Sequence, residues 1–198
     1  VNINSNKKVN ILIFASGNGS NAENIIRYFR GKSIDIKWTI ITNNSKAGVI
    51  ERCARLDIPF LVFEKEDFYK SIFLNKIDLI KPSLIILAGF LLKIPENLIN
   101  KYNNKIINIH PSLLPKYGGK GMYGINVHNE VIKNKETESG ISIHYVNKHY
   151  DKGRIIFQKN VEITYPITAL GLSKKIHELE MKFFPKVIEQ LINSEGND

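Results

Sequence analysis

The chain has 198 residues, 43% of them hydrophobic and 10% aromatic, which is ordinary for one globular domain with a buried core. Its formal net charge is +9, but the lysines are scattered, which favours a solvated surface or attraction of a small phosphorylated substrate over a nucleic-acid partner. The longest apolar run, residues 83–92, is about half of the roughly 20 residues that span a membrane. Residues 1–8 lack the apolar core of a signal peptide. We therefore expect a cytoplasmic protein without a membrane partner.

The first 110 residues are predicted to alternate between strands and helices. Continuous apolar runs indicate buried strands, and apolar residues at helical spacing indicate the helices between them. The predicted strands are 8–16, 34–43, 58–64, 83–89 and 105–110, and the predicted helices are 22–30, 46–56, 67–81 and 95–102. Pro82 is expected to end the long third helix. This alternation predicts a parallel sheet covered on both faces.

The remainder of the chain has a different pattern. Residues 124–134 are predicted to be helical, residues 139–147 and 154–163 alternate like the strands of a hairpin, and residues 168–193 form one long helix that contains Pro185. The predicted fold is therefore α/β, a Rossmann-like, mostly parallel sheet flanked by helices, with antiparallel strands in the C-terminal part. We expect a single domain over residues 1–198.

A glycine-rich loop follows the first predicted strand. In sheets of this kind, ligands bind beyond the carboxyl ends of the strands, where backbone N–H groups and a helix N-terminus face an anion. Gly17 and Gly19 permit close approach, and Ser20 or Asn21 is expected to cap the helix and to bind a phosphate oxygen. The spacing matches neither the dinucleotide pattern GxGxxG nor the P-loop pattern. A plain turn is the alternative.

Two polar residues lie on alternate positions at the end of the fifth predicted strand. Alternate residues of a strand share a face, so Asn108 and His110 point the same way at the carboxyl edge of the sheet. An amide can donate a hydrogen bond to a developing oxyanion, and an imidazole can supply or relay a proton. The pair suits the reaction of a carbonyl group, and a His that only satisfies the turn is the alternative.

A carboxylate is the usual third member, because it orients an imidazole and favours its protonated form. Asp151, in the loop between the two hairpin strands, is the best candidate, since Gly153 supplies a turn that can hold it over the sheet edge. An ordinary turn residue is the alternative. Cys53 is the only cysteine and offers no CxxC pair, so we expect no metal site.

Together these motifs resemble the folate-dependent formyltransferase family. The stretches GNGSN (17–21), LAGF (87–90), NIHPSLLP (108–115) and DKG (151–153) occur in the family's order with compatible spacing. HPSLLP marks the wider family, and SGNGSN after the first strand narrows the resemblance to the branch that formylates phosphoribosylglycinamide. The resemblance covers nearly the whole chain. It implies 10-formyltetrahydrofolate as co-substrate, no metal, small-molecule substrates only, and a monomer or homodimer.

The resemblance also implies roles for individual residues. Asn108, His110 and Asp151 fall on the family's catalytic Asn, His and Asp, and His144 falls on a His close to the active site. The loop that binds the phosphate of the ribonucleotide comprises Gly17, Asn18, Gly19, Ser20 and Asn21. The folate pocket is lined by the segment after LAGF, by a base before the third helix, by the loop that closes over the pterin and by the catalytic Asn. In this chain these are, in that order, Leu91, Leu92, Lys93 and Ile94, then Lys65, Tyr150 and Asn108.

The chain departs from the family's pattern at two places. Leu92 occupies the usual position of an Arg in the folate segment, and the base moves to Lys93. The glycine-rich loop after the catalytic strand is longer than usual, which leaves the roles of Lys120 and His128 open.

Three other functions remain alternatives. A methionyl-tRNA formyltransferase is expected to carry an added C-terminal barrel, and a formyl-folate hydrolase an added N-terminal regulatory domain, and we expect neither here. A non-catalytic nucleotide-binding module would explain the glycine-rich loop but would give no role to Asn108, His110 and Asp151.

Overall fold

The computed structural model describes residues 8–194. Residues 1–7, most of the segment assessed above for a signal peptide, lie outside that part, as do residues 195–198. The chain forms two compact units, one ending at Leu98 and the other beginning at Ile99. Within residues 8–194, none of the helices combines the length and the apolar character that crossing a membrane requires.

Parallel strands and helices alternate in the first unit. Its elements are β1 (Val9–Phe14), α1 (Ser20–Phe29), β2 (Ile36–Thr42), α2 (Val49–Leu56), β3 (Phe60–Val62), a 3₁₀ turn (Asp67–Tyr69), α3 (Ser71–Ile80) and β4 (Leu84–Leu87). The four strands pair in parallel in the order β3-β2-β1-β4. The short helix α4 (Glu96–Lys101) contains the boundary between the units.

The second unit is built on an antiparallel hairpin. Its elements are β5 (Ile106–His110), α5 (Ile125–Lys133), β6 (Glu138–Tyr145), β7 (Ile155–Glu162) and α6 (Ala169–Ser194). β6 pairs antiparallel with both β5 and β7, and α6 packs against α5 and the hairpin. The long C-terminal helix continues through Pro185, as the sequence predicts. The predicted fold class is confirmed, with helices flanking parallel strands and antiparallel strands in the C-terminal part.

The predicted helix over residues 67–81 is wrong in one respect, because the structure divides it at Lys70. This residue has an extended backbone (φ −89°, ψ 160°) between the 3₁₀ turn and α3. Phe68, Phe73 and Ile77 are all buried, and the five-residue step from 68 to 73 does not fit one face of a continuous helix. The break therefore lets both aromatic side chains enter the core.

An aromatic cluster fills the core beside β1. The ring of Phe73 lies 4.3 Å from that of Phe68 and 6.2 Å from that of Phe14, measured between centroids. Phe90, just after β4, lies 5.2 Å from Phe14 and 5.3 Å from Phe68. The cluster fixes the start of the segment 91–94, because Phe90 directly precedes that segment.

Replacing Phe73 tests this cluster. Phe73 is 1% exposed, so Phe73→Ala removes a fully packed ring and should lower the free energy of unfolding by about 3–5 kcal/mol. The neighbouring Ile72 is 54% exposed, and Ile72→Ala should lower it by less than about 1 kcal/mol. Urea unfolding of both variants measures the difference. Equal losses would contradict the assignment of Phe73 to the core.

Candidate active site

The pairing of β5 with β6 brings the predicted catalytic residues of the two strands together. Asn108 lies opposite His144 in the antiparallel register, and His110 lies opposite Ser142. The Nδ2 of Asn108 is 3.1 Å from the Nε2 of His144. Both histidines are buried, and Asn108 is half-buried. The period of two seen in the sequence therefore places Asn108 and His110 beside a third polar residue of the neighbouring strand.

Asp151 lies against this pair from the loop between β6 and β7. Its Oδ2 accepts a hydrogen bond from the N–H of Gly119 at 2.8 Å and lies 3.7 Å from Nδ1 of His110. Its Oδ1 lies 3.6 Å from Nε2 of His144 and 3.5 Å from Nδ2 of Asn108. One carboxylate, whose side chain is only 11% exposed, thus lies close to the amide and to both imidazoles.

Glycines make room for the carboxylate. A Cβ on Gly153 would overlap the carbonyl oxygen of Tyr145, so only glycine lets the loop return this close to β6. A Cβ on Gly118 would lie 3.1 Å from the Cβ of Asp151. Asp151 itself has a left-handed backbone (φ 53°), which Asp tolerates better than most residues. The turn role that the sequence assigns to Gly153 agrees with this geometry.

The turn after β5 is fixed by two serine hydroxyls. Ser142 donates to the carbonyl of Ser112 at 2.7 Å and accepts from the N–H of Leu114 at 2.9 Å. Ser112 donates to the carbonyl of Lys116 at 2.7 Å. The next residue, Tyr117, has a left-handed backbone (φ 56°) and its carbonyl oxygen lies 2.8 Å from Nε2 of His110. The turn therefore ends by holding one nitrogen of the imidazole.

The hydrogen bonds assign the protons of the two imidazoles. A carbonyl can only accept, so His110 must carry a proton on Nε2 to bond Tyr117, and His144 must carry one on Nδ1 to bond the carbonyl of Tyr145 at 2.9 Å. When neutral, His144 accepts from Asn108 through Nε2, whereas Nδ1 of His110 presents a lone pair to Asp151. Nδ1 is therefore the atom at which His110 gains a proton.

Burial and charge act in opposite directions on these groups. Burial lowers the pKa of His110, and although Asp151 and the carbonyl of Tyr117 raise it, the net pKa lies below its usual value. Burial raises the pKa of Asp151, but the neighbouring imidazoles of His144 and His110 and the N–H of Gly119 lower it overall. Asp151 is thus ionised, and His110 is neutral at pH 7. The effect expected from the sequence, a carboxylate that favours the protonated form of His110, is present but is outweighed by burial of the imidazole.

The glycine-rich loop lies in the first unit, between β1 and α1. Gly19 has φ 79° and directly precedes α1, and a Cβ on it would lie 2.6 Å from the Cβ of Val49. No side chain caps the helix, so the expectation that Ser20 or Asn21 caps it is wrong: Gly19 holds the cap position, and Ser20 and Asn21 are already helical. By contrast, a Cβ on Gly17 would meet open space.

The predicted folate segment is tied to the end of β1 within the same unit. Ser16 donates to Oδ1 of Asn43 at 2.6 Å and accepts from the N–H of Leu91 at 3.0 Å. Leu91 and Lys93 are exposed, Leu92 is half-buried and Ile94 is buried. The carbonyl of Lys93 also accepts from the hydroxyl of Tyr69 at 3.3 Å. This segment therefore offers an exposed Leu and an exposed Lys on a fixed backbone.

The other predicted residues are placed individually. Lys65 is exposed in the turn before the 3₁₀ helix, and Tyr150 is exposed beside Asp151. Lys120 is exposed in the long glycine-rich loop, whereas His128 is buried on α5. Among residues 8–194, no three His, Cys, Asp or Glu side chains are grouped in a way that could hold a metal ion.

Three groups that hold predicted residues, one in the first unit and two in the second, were missed from the sequence. Ser16, the carbonyl of Tyr117 and the N–H of Gly119 each hold a predicted residue in place. The last two are backbone groups, which carry no side-chain signal. Ser16 directly precedes the glycine-rich loop, and a polar residue at the end of an apolar strand is the signal that could have indicated it.

Comparisons with known proteins place the chain in the Formyl transferase family, whose sequence profile matches residues 9–188. The phosphoribosylglycinamide formyltransferase of Bacillus subtilis (strain 168) is 36% identical over 186 residues, covering 91% of this chain and 93% of the relative. The crystal structure of phosphoribosylglycinamide formyltransferase from Streptococcus pneumoniae TIGR4 superposes with a TM-score of 0.82 at 27% identity, covering 93% of this chain and 99% of that one.

A third similar protein agrees with these two. The phosphoribosylglycinamide formyltransferase of Coxiella burnetii, solved in complex with CHES, is 35% identical with a TM-score of 0.81 and covers 91% of this chain and 85% of that one. The chain therefore belongs to the Formyl transferase family, and the resemblance stated from the sequence motifs is confirmed.

Buried neutral histidines should make the stability of this protein fall in mild acid. Burial lowers the pKa of His128, whose Nδ1 has no hydrogen-bond partner within the described residues, and the pKa of His110 is lowered as well. Below about pH 6.5 the unfolded chain binds protons that the folded protein excludes, so stability decreases as pH falls. Each such proton changes the unfolding equilibrium constant by about tenfold per pH unit.

The variant His128→Gln isolates one of these protons. Its free energy of unfolding should fall less steeply than that of the wild type between pH 6.5 and 5, as measured by urea unfolding at each pH. The pKa of His177 is raised by its hydrogen bond to Glu180, so this residue makes stability increase as pH falls. It is present in both the wild type and His128→Gln, so it does not affect the difference between them. Identical pH slopes for the two proteins would show that the pKa of His128 is the same in the folded and the unfolded chain, which would contradict the lowering by burial.

Proposed function

We propose that this protein transfers the formyl group of 10-formyltetrahydrofolate to the amine of 5-phosphoribosylglycinamide, a reaction of de novo purine biosynthesis. The names of the similar proteins support a formyl transfer to phosphoribosylglycinamide, and the resemblance to the folate-dependent family supports the folate donor. The observation that carries the proposal is the position of one half-buried carboxylate, Asp151, against Asn108, His110 and His144. We also propose that residues 1–198 act as a single formyltransferase domain, which is supported by a family profile that matches residues 9–188 and so extends over both compact units.

The reaction begins with attack of the ribonucleotide amine on the formyl carbon, which forms a C–N bond and a tetrahedral species with a negatively charged oxygen. Asn108 has one N–H engaged with His144 at 3.1 Å and another that makes only a 3.5 Å contact with Asp151. The second N–H can turn to the charged oxygen at little cost, since a contact of that length is weak.

His110 then moves the proton. Its Nδ1 lone pair accepts the proton that the attacking nitrogen loses, and the imidazolium so formed is stabilised by the carboxylate of Asp151, 3.7 Å away. The same proton passes to the departing folate nitrogen as the bond from that nitrogen to the formyl carbon breaks and the carbonyl re-forms. The products are the formylated ribonucleotide and tetrahydrofolate, with no covalent enzyme intermediate.

Substrate binding uses the two sets of residues predicted from the sequence. Residues 17–21 take the phosphate of the ribonucleotide through backbone N–H groups, and residues 91–94 with Lys65 and Tyr150 take the folate. Lys93 supplies the positive charge in the folate segment. Location in the cytoplasm and a monomeric or homodimeric state remain predictions.

An acceptor assay tests the activity itself. The protein is incubated with 10-formyltetrahydrofolate and, in separate reactions, with phosphoribosylglycinamide, charged initiator tRNA or water. Only phosphoribosylglycinamide should give stoichiometric formylated product and tetrahydrofolate. Formylation of the tRNA, or release of formate in water at the same rate, would assign a different member of the family, and no reaction at all would support a non-catalytic module.

The role of Asp151 is tested by Asp151→Asn, which keeps the shape and the left-handed backbone but removes the charge. Burial already lowers the pKa of His110, and loss of the charge that opposes burial should lower it further. Turnover should fall by roughly 10²- to 10⁴-fold, and the acid limb of its pH profile should move to lower pH. The measurements are kcat against pH and an NMR titration of His110.

The matched control is Asp57→Asn. Asp57 also has a left-handed backbone (φ 55°), at the end of α2, and is exposed. This variant makes the same chemical change away from the imidazoles, so kcat and the His110 titration should stay at wild-type values. If Asp151→Asn behaves like this control, Asp151 is an ordinary turn residue.

A further inference from the structure

The carbonyl oxygens of the glycine-rich loop are held from one side by α2. The N–H of Val49 donates to the carbonyl of Gly17 at 3.1 Å, and Nε of Arg52 donates to the carbonyl of Asn18 at 2.7 Å. Gly19 packs against Val49 at a distance that leaves no space for a side chain. Three consecutive loop residues therefore rest on the first turn of one helix.

This support fixes the direction of the loop's N–H groups. In a trans peptide the C=O and the N–H of the same unit point in opposite directions. Because the carbonyls of Gly17 and Asn18 point to α2, the N–H groups of Asn18 and Gly19 point away from it. Those N–H groups are the ones that an anion in the loop would contact. The helix behind the loop thus determines which way the loop can bind.

Arg52 contributes the larger share of this support. Besides the carbonyl of Asn18, its Nε contacts Oδ1 of Asn18 at 3.0 Å, and its Nη2 bonds the same oxygen. Its Nη1 forms an ion pair with Oε2 of Glu23 on α1. The planar guanidinium is therefore fixed at both edges, between the loop on one side and the helix that follows the loop on the other.

Glu23 is held in turn by two other arginines. Arg27 bonds its Oε1 at 2.8 Å, and Arg55 reaches its Oε2 at 3.3 Å. Burial raises the pKa of Glu23, but the hydrogen bonds from Arg27 and Arg52 lower it overall, so the carboxylate stays ionised. The Arg52 side chain is 24% exposed and that of Arg55 is 61% exposed. Of the two arginines on α2, only Arg52 has contacts with the loop among those described.

We propose that Arg52 is a positioning residue for the phosphate of the ribonucleotide. It acts through Asn18, by holding the carbonyl and the side chain of that residue so that the loop's N–H groups face the phosphate. This inference rests on the proposed function, since that function supplies the phosphorylated substrate. Lysine cannot replace arginine here. The planar guanidinium contacts Asn18 with Nε and Nη2 and Glu23 with Nη1, whereas lysine has a single nitrogen and cannot reach both residues in this way.

Three variants separate positioning from charge: Arg52→Met, Arg52→Lys and the control Arg55→Met. Arg52→Met should raise the KM for phosphoribosylglycinamide about 10- to 100-fold, the range for loss of a charged hydrogen bond, and leave the KM for the folate within about twofold. Arg52→Lys should stay close to Arg52→Met, since it restores only the charge. Arg55→Met removes the same charge from the same helix and should change neither KM by more than about threefold.

Two results of these assays would overturn the proposal. If Arg52→Lys restores the wild-type KM, or if Arg55→Met raises it as much as Arg52→Met does, the loop needs positive charge nearby but no positioning by Arg52. Thermal unfolding of each variant shows that a changed KM is measured on folded protein. If Arg52→Met does not fold, the KM of Arg52→Lys for phosphoribosylglycinamide is compared with that of Arg55→Met, and only Arg52→Lys should show the increase.

A binding measurement separates failure of this inference from failure of the proposed function. Inorganic phosphate and ribose 5-phosphate are titrated into the ¹⁵N-labelled protein, and the amide shifts of residues 17–21 are followed. The inference is supported if the amide shifts give a phosphate affinity that is at least tenfold weaker in Arg52→Met than in the wild type. This result would support it even if no formyl transfer is found. Equal phosphate affinity in the two proteins contradicts it, whatever the enzymatic activity.

Discussion

The second unit is arranged around one half-buried charge, the carboxylate of Asp151. Removing a carboxylate from water is costly unless it is hydrogen-bonded, and here it accepts from the N–H of Gly119 at 2.8 Å, has Nδ2 of Asn108 at 3.5 Å and lies within 3.7 Å of two imidazoles. Each partner imposes a condition on the chain. The imidazoles require the β5–β6 register, the N–H requires the turn at residues 118–119, and the approach of the loop requires the glycine at 153.

The two histidines beside this charge differ in freedom although both are buried. His144 has both ring nitrogens engaged, one with the carbonyl of Tyr145 and the other with Asn108. His110 has one nitrogen held by Tyr117 and one that faces Asp151 at a distance too long for a neutral hydrogen bond. The structure therefore separates an imidazole whose two nitrogens both make hydrogen bonds, one of them to the amide of Asn108, from an imidazole whose Nδ1 faces the carboxylate without a hydrogen bond. A site with two equivalent histidines would lack this division.

Sequence reasoning reached the features that depend on periodicity. Strand alternation gave the fold class, and the step of two between Asn108 and His110 correctly indicated a shared face. It failed where the conformation of a single residue determines where a helix begins or is interrupted. The break at Lys70 and the helix start at Gly19 depend on tertiary packing against Phe68 and Val49, which no local pattern contains. Arg52 looks like any charged residue on an exposed helix face until its contacts with Asn18 are known.

The hydroxyl of Ser16 joins two parts of the first unit that sequence analysis treated separately. It is a donor to Asn43 and an acceptor from Leu91, and its own chain continues directly into Gly17. A hydroxyl is the smallest side-chain group that can donate and accept at once, so neither Ala nor Cys can replace it without loss. Position 16 therefore serves two contacts at once, because removal of this one hydroxyl would release both the side chain of Asn43 and the backbone of Leu91.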